Sequence, residues 1–80
     1  MNKVYVVIEE YYFDGTETHI EIFGTLAKAK KHFNKVVKRE KDKSWIDEYS
    51  EIESEEKYFH AYDPNDYYET TIYIEEKEIL

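Results

Sequence analysis

Residues 18–37 read THIEIFGTLAKAKKHFNKVV. The first six alternate, with Ile20 and Ile22 on one face and His19, Glu21 and Phe23 on the other, the period of a half-buried strand. Gly24 ends the strand, and Thr25 is placed to accept a backbone N–H at the start of a helix. Leu26, Ala29, Phe33, Val36 and Val37 then recur at intervals of three and four with lysines between them, which is an amphipathic helix. It should run from Leu26 to about Arg39, with Lys28, Lys31, Lys35 and Lys38 on its outer stripe.

Before this stretch, residues 3–13 read as a first strand. Val4, Val6 and Ile8 fall on one face and Tyr5 and Val7 on the other, as in a central strand covered on both sides. Asp14-Gly15 is a turn signal, so the two strands form a hairpin. After the helix, EKDKS (residues 40–44) breaks the apolar pattern. Ser44 and Asp47 suit a helix start, and Trp45, Ile46, Tyr49 and Ile52 share a helical spacing, which predicts a short second helix. The acidic residues 51–56 then form its frayed end or a loop. Residues 57–62 (KYFHAY) read as a short strand closed by a turn at Asp63-Pro64-Asn65-Asp66, and residues 67–79 as the last strand. In that strand Ile72, Ile74, Thr70 and Tyr68 should face the core, and Thr71, Tyr73 and Glu75 should face outward.

The expected fold is therefore α+β: one antiparallel-rich sheet of three to four strands in the order ββα(α)ββ. The main helix packs on one face, and the first strand lies between its hairpin partner and the last strand. Phe33 should meet Ile22 in the core. Tyr5, Val7, Phe23 and Tyr73 should lie on the opposite face, covered by residues 45–52, a second subunit or a target protein.

Eighty residues with two glycines and one proline make a single domain, residues 1–80, with no room for a flexible linker. Nine Tyr, four Phe and one Trp let so short a chain bury much area per residue, so a fold without disulfides is credible, and there is no cysteine to form one. The first residues carry no apolar run long enough for a signal peptide or a membrane span, so a cytoplasmic protein with no membrane role is the expectation.

VYVVIEEYYFDGTETHIEIFGTLAKAKKHF, with TIYIEEKEI near the end, resembles a small uncharacterised domain family of bacterial and phage genomes. The shared pattern is a VYVV-type strand, a turn, a strand ending in a glycine step, a helix with an AKA core and a closing strand. It covers about half of the chain, and residues 45–66 depart from it as an enlarged insert. The resemblance implies an α+β fold and a mobile-element origin, and it brings no active site.

The net charge of −8 is unevenly spread. Residues 25–43 hold eight bases against Glu40 and Asp42, and the segments on either side are strongly acidic. The lysine stripe suggests nucleic acid, but the overall charge repels a polyanion, and the stripe lacks the arginines and interleaved aromatics of base readout. A solvated helix face accounts for it better, and no direct nucleic-acid contact is expected. His19, His32 and His60 lack ligand spacing, and Asp63 to Asp66 lack the glycine and distal glutamate of a calcium loop, so no metal or cofactor is expected. No cysteine nucleophile or glycine-rich phosphate loop is present, which argues against an enzyme.

The acid-and-tyrosine stretches EYSEIESEEKYF and YDPNDYYETT remain. Carboxylates on a rigid scaffold imitate phosphates, and tyrosines supply contact area at low entropic cost. Equally, acids keep a small protein soluble and tyrosines cover the edge of a thin core. The functional reading is a phage-encoded, non-enzymatic inhibitor. It would mimic nucleic acid to block a host or defence protein that handles nucleic acid. Glu51, Glu53, Glu55, Glu56, Asp63, Asp66 and Glu69 would supply the charge, and Tyr62, Tyr67 and Tyr68 the anchors. The alternative is an assembly module that homodimerises through the open sheet face.

Overall fold

The computed structural model describes residues 2–43, 51–64 and 67–79. Strand β1 (Asn2–Tyr12) turns through Asp14 and Gly15 into β2 (Thr16–Phe23), and helix α1 (Leu26–Lys41) follows. Three further strands, β3 (Glu51–Glu55), β4 (Tyr58–Asp63) and β5 (Tyr68–Ile79), complete a five-stranded sheet in the order β2-β1-β5-β4-β3. Every neighbouring pair is antiparallel. At the first turn Asp14 has φ 52° and Gly15 has φ 134°, a conformation that favours glycine.

As expected, β1 lies between β2 and β5. The path of the chain differs from the expectation, however. From the edge strand β2, α1 leads to the opposite edge, β3, and two hairpins then bring the chain back to β5 beside β1. The sheet thus has five strands rather than three or four. The acidic residues 51–55 are neither a frayed helix end nor a loop but the strand β3. Glu55 pairs with Tyr58 across a tight turn, so the acids gain a backbone ladder that their propensity does not advertise. Of the expected second helix, residues 45–50 lie outside the described residues, and Ile52 belongs to β3.

Thr25 caps α1 as anticipated, its Oγ1 accepting the Lys28 N–H at 3.2 Å. Lys38, Arg39 and Lys41 in the last turn suit the negative end of the helix dipole. Lys28, Lys31, Lys35 and Lys38 all face solvent. The buried stripe of α1, Ala29, Phe33, Val36 and Val37, packs with Val7 of β1, Phe59 and Ala61 of β4 and Ile72 of β5. Tyr5, Phe23 and Ile74 border this core.

The strand registers overturn one expectation. Val7 stands opposite Ile74 and Tyr5 opposite Phe23, so the odd-numbered residues of β1 face the helix. Tyr5, Val7 and Phe23 are therefore under α1, and of the four residues expected on the open face only Tyr73 is there. Ile22 pairs with Val6 on the open face and is 63% exposed, so it does not meet Phe33. The reason is that β1 is apolar on both faces, and β5 decides between them: Ile72 and Ile74 pack under the helix with Thr70, while Thr71 and Tyr73 face away. At the sheet edge α1 covers Phe23 and leaves the rest of β2 exposed.

No described helix is long and apolar enough to cross a membrane.

Two substitutions test this parity. Phe33→Ala empties the centre of the core and should destabilise the protein by about 3–5 kcal/mol, a large part of a small domain's stability. Ile22→Ala removes an exposed side chain and should change it by less than about 1 kcal/mol. Urea melts giving equal losses for the two would put the helix on the other face.

Candidate functional site

On the face away from α1, the even-numbered residues of β1 and β2 meet the odd-numbered residues of β3 and β5 and the even-numbered residues of β4. The pairings order them into rows across the sheet. One row runs Ile20, Ile8, Tyr73, Tyr58, Glu55; the next runs Thr18, Glu10, Thr71, His60, Glu53; the third runs Thr16, Tyr12, Glu69, Tyr62, Glu51. One side of the face is therefore aliphatic and the other is acid and tyrosine. Glu51, Glu53 and Glu55 project from an edge strand that is exposed throughout, at a spacing of about 6.4–6.8 Å from one to the next.

Hydrogen bonds hold the middle of this face. His60 Nε2 lies 2.9 Å from Glu69 Oε2, and the Tyr73 hydroxyl donates to Glu10 Oε1 at 3.0 Å. Burial, that hydrogen bond and the charges of Glu10 and Glu75 all raise the pKa of Tyr73. The rings of His60 and Tyr73 are thus oriented by the carboxylates beside them.

Of the ten residues expected to bind a partner, Glu51, Glu53, Glu55, Tyr62 and Glu69 share this face. Glu56, Asp63 and Tyr68 do not join them. Glu56 occupies the turn after β3 and pairs with Lys30 of α1, whose hydrogen bond and charge draw its carboxyl below the usual range. Asp63 is 5% exposed at the end of β4, not in an exposed loop, so reversing its charge would disturb the fold. Tyr68 stacks on Phe13 at 4.3 Å on the helix side of the sheet. Tyr67, at the turn, is 67% exposed with φ 60°. Asp66 lies outside the described residues.

A second cluster, missed in the sequence, lies at the C-terminal end of α1. Glu9 and Glu40 are both buried, at 7% and 0% exposure. Arg39 reaches both carboxylates: its Nη2 donates to Glu9 Oε1 at 3.1 Å and to the Tyr11 hydroxyl at 3.0 Å, and its Nε to Glu40 Oε2 at 3.3 Å. The Tyr11 hydroxyl also donates to Glu9 Oε1. Lys43 Nζ stands 2.9 Å from Glu40 Oε1, and His32 Nε2 stands 2.9 Å from Glu21 Oε2 and 3.7 Å from Glu9 Oε2. These three contacts lack hydrogen-bond geometry. The signal was available: Glu40 follows Phe33 by seven residues and so continues the apolar stripe, and Glu9 follows Val7 by two.

A concavity of about 750 Å³ opens over this cluster. Its walls include Tyr11, Phe13, His19, Arg39 and Tyr68. Arg39, Tyr11 and Lys43 already engage the carboxylates at its floor, so the cluster acts first as a clamp joining the helix end to β1. Among the described residues no group of three or more His, Cys, Asp or Glu side chains is arranged to hold a metal ion.

Burial raises the pKa of Tyr11, as do the hydrogen bond to Glu9 and the charges of Glu40 and Glu9, against the opposing charge of Arg39. A tyrosine held neutral in the fold keeps its full stability below the unfolded value of about 10, and that stability is lost as pH rises toward the folded value. Ultraviolet titration should therefore find Tyr11 and Tyr73 among the last tyrosines to ionise. Tyr11→Phe should remove one late proton and make the alkaline loss of stability shallower. Titration of all the tyrosines together near the ordinary value would exclude the clamp. A scan of protein-family models, a search of curated proteins and a search of solved structures each found no match, so the likeness to a bacterial and phage domain family rests on the sequence pattern alone.

Proposed function

We propose that this protein is a small, acidic, non-enzymatic binding protein, phage-encoded, that occupies the nucleic-acid site of a host or defence protein. The observation that carries this reading is the row Glu51, Glu53 and Glu55 on one face of the exposed edge strand β3, with Tyr62 and Tyr58 paired beside Glu51 and Glu55. A strand holds these charges at a regular spacing, which a mobile acidic loop would not. The rings beside them offer rigid contact area. Glu69 extends the charge inward, next to Tyr62.

Glutamates on an edge strand also serve to block strand-to-strand aggregation, and that role alone would need no partner. The two roles separate in solution. Glu51→Gln/Glu53→Gln/Glu55→Gln leaves the ladder intact and should alter stability by less than about 0.5 kcal/mol at each position.

A partner retained from host lysate should be displaced by duplex DNA or RNA. Its affinity should fall about tenfold or more between roughly 50 and 200 mM salt. The triple variant should lose that partner while still melting in one cooperative transition. Retention of the same partner by the triple variant, or indifference of the complex to nucleic acid, would end this reading.

A further inference from the structure

The open face has a second half that the acidic row does not explain. Ile20 and Ile22 of β2 are 64% and 63% exposed, beside Ile8 and Val6, their partners on β1. The described helix lies on the other face. As neighbours on one face of β2 they join into a single exposed apolar patch, the kind of surface that marks an interaction site.

Charge selects the occupant. By the strand registers this face carries Glu10, Glu51, Glu53, Glu55, Glu69 and Glu75, against Lys77 and a His60 already engaged by Glu69. A second copy laid face to face would oppose acid to acid. An anionic lipid surface would be repelled as well. A segment with an apolar strip and flanking lysines or arginines would meet both halves of the face.

We infer that the open face receives a basic amphipathic segment of the partner protein, with its apolar strip on Ile20 and Ile22 and its cations toward Glu51, Glu53 and Glu55. This rests on the proposed function and adds the chemistry of the partner's contact element. The row from Ile20 to Glu55 crosses four strand spacings, about 19 Å. A helix lying along it needs about 13 residues.

The test uses the full chain and two 18-residue peptides of leucine and lysine with the same composition. One places its leucines on a single helical face, and the other is scrambled. The amphipathic peptide should bind at least about tenfold more tightly, a difference of about 1.4 kcal/mol, and should shift the NMR signals of Ile20 and Ile22. Ile20→Thr/Ile22→Thr, which suits a strand, should remove that preference and leave the salt-dependent binding common to both peptides. Melting midpoints verify that the variant is folded.

Equal binding of the two peptides would overturn the inference while leaving the acidic row in place. Binding of both unaffected by Glu51→Gln/Glu53→Gln/Glu55→Gln would count against the proposed function itself. A salt-insensitive dimer in sedimentation, abolished by the Ile20→Thr/Ile22→Thr variant, would assign the face to a second copy. A shift of Trp45 emission in the unliganded double variant would assign it to residues 44–50 of the chain itself.

Discussion

The packing of Val7 beneath α1 is the constraint on which the rest of the structure depends. Side chains of a strand alternate, so placing Val7 inside places Tyr5, Glu9 and Tyr11 on the same side and Val6, Ile8 and Glu10 on the other. The antiparallel registers lock that choice to the faces of β2 and β5, and through β5 to those of β4 and β3. One parity decision on the central strand therefore settles which of the chain's apolar residues lie under the helix and which lie on the opposite face, where Val6 and Ile8 are buried and Ile20 and Ile22 are exposed.

The decision has an electrostatic consequence. It carries Glu9 under the end of the helix, where a lone carboxylate would be strongly unfavourable. Arg39 and Tyr11 meet it there, and Arg39 at the same time neutralises Glu40 on the buried stripe of α1. One guanidinium serving two buried acids ties the position of the helix end to the register of β1. Replacing such a cluster by apolar groups is often tolerated, whereas removing one partner is not, so its value lies as much in orientation as in stability.

Much of this was legible in the sequence. The first hairpin, the Thr25 cap, the helix with its lysine stripe, the strand before Asp63 and the inward Ile72 and Ile74 follow from local periodicity and turn chemistry. What was not legible has physical causes. The parity of β1 is ambiguous because both of its faces are apolar. Ile20 and Ile22 look like core residues because alternation reveals a face but not what covers it. The strand β3 is hidden in an acidic run whose propensity favours no sheet, and only its pairing with β4 makes it one. The acidic stretches divide as well: sequence proximity grouped Glu56, Asp63 and Tyr68 with the acidic face, but the turn after β3 gives Glu56 to Lys30 and the pleat sends Asp63 and Tyr68 to the other side.

The resulting molecule has one face committed to folding and one face graded from aliphatic to acidic. The functional proposals rest on that second face, so they stand or fall with the parity of β1. The most direct measurement is methyl NMR on the free protein with a soluble paramagnetic probe. The account predicts that the methyls of Ile20 and Ile22 broaden strongly while those of Val7 and Ile72 stay protected. Protected methyls at Ile22 with exposed methyls at Val7 would contradict it.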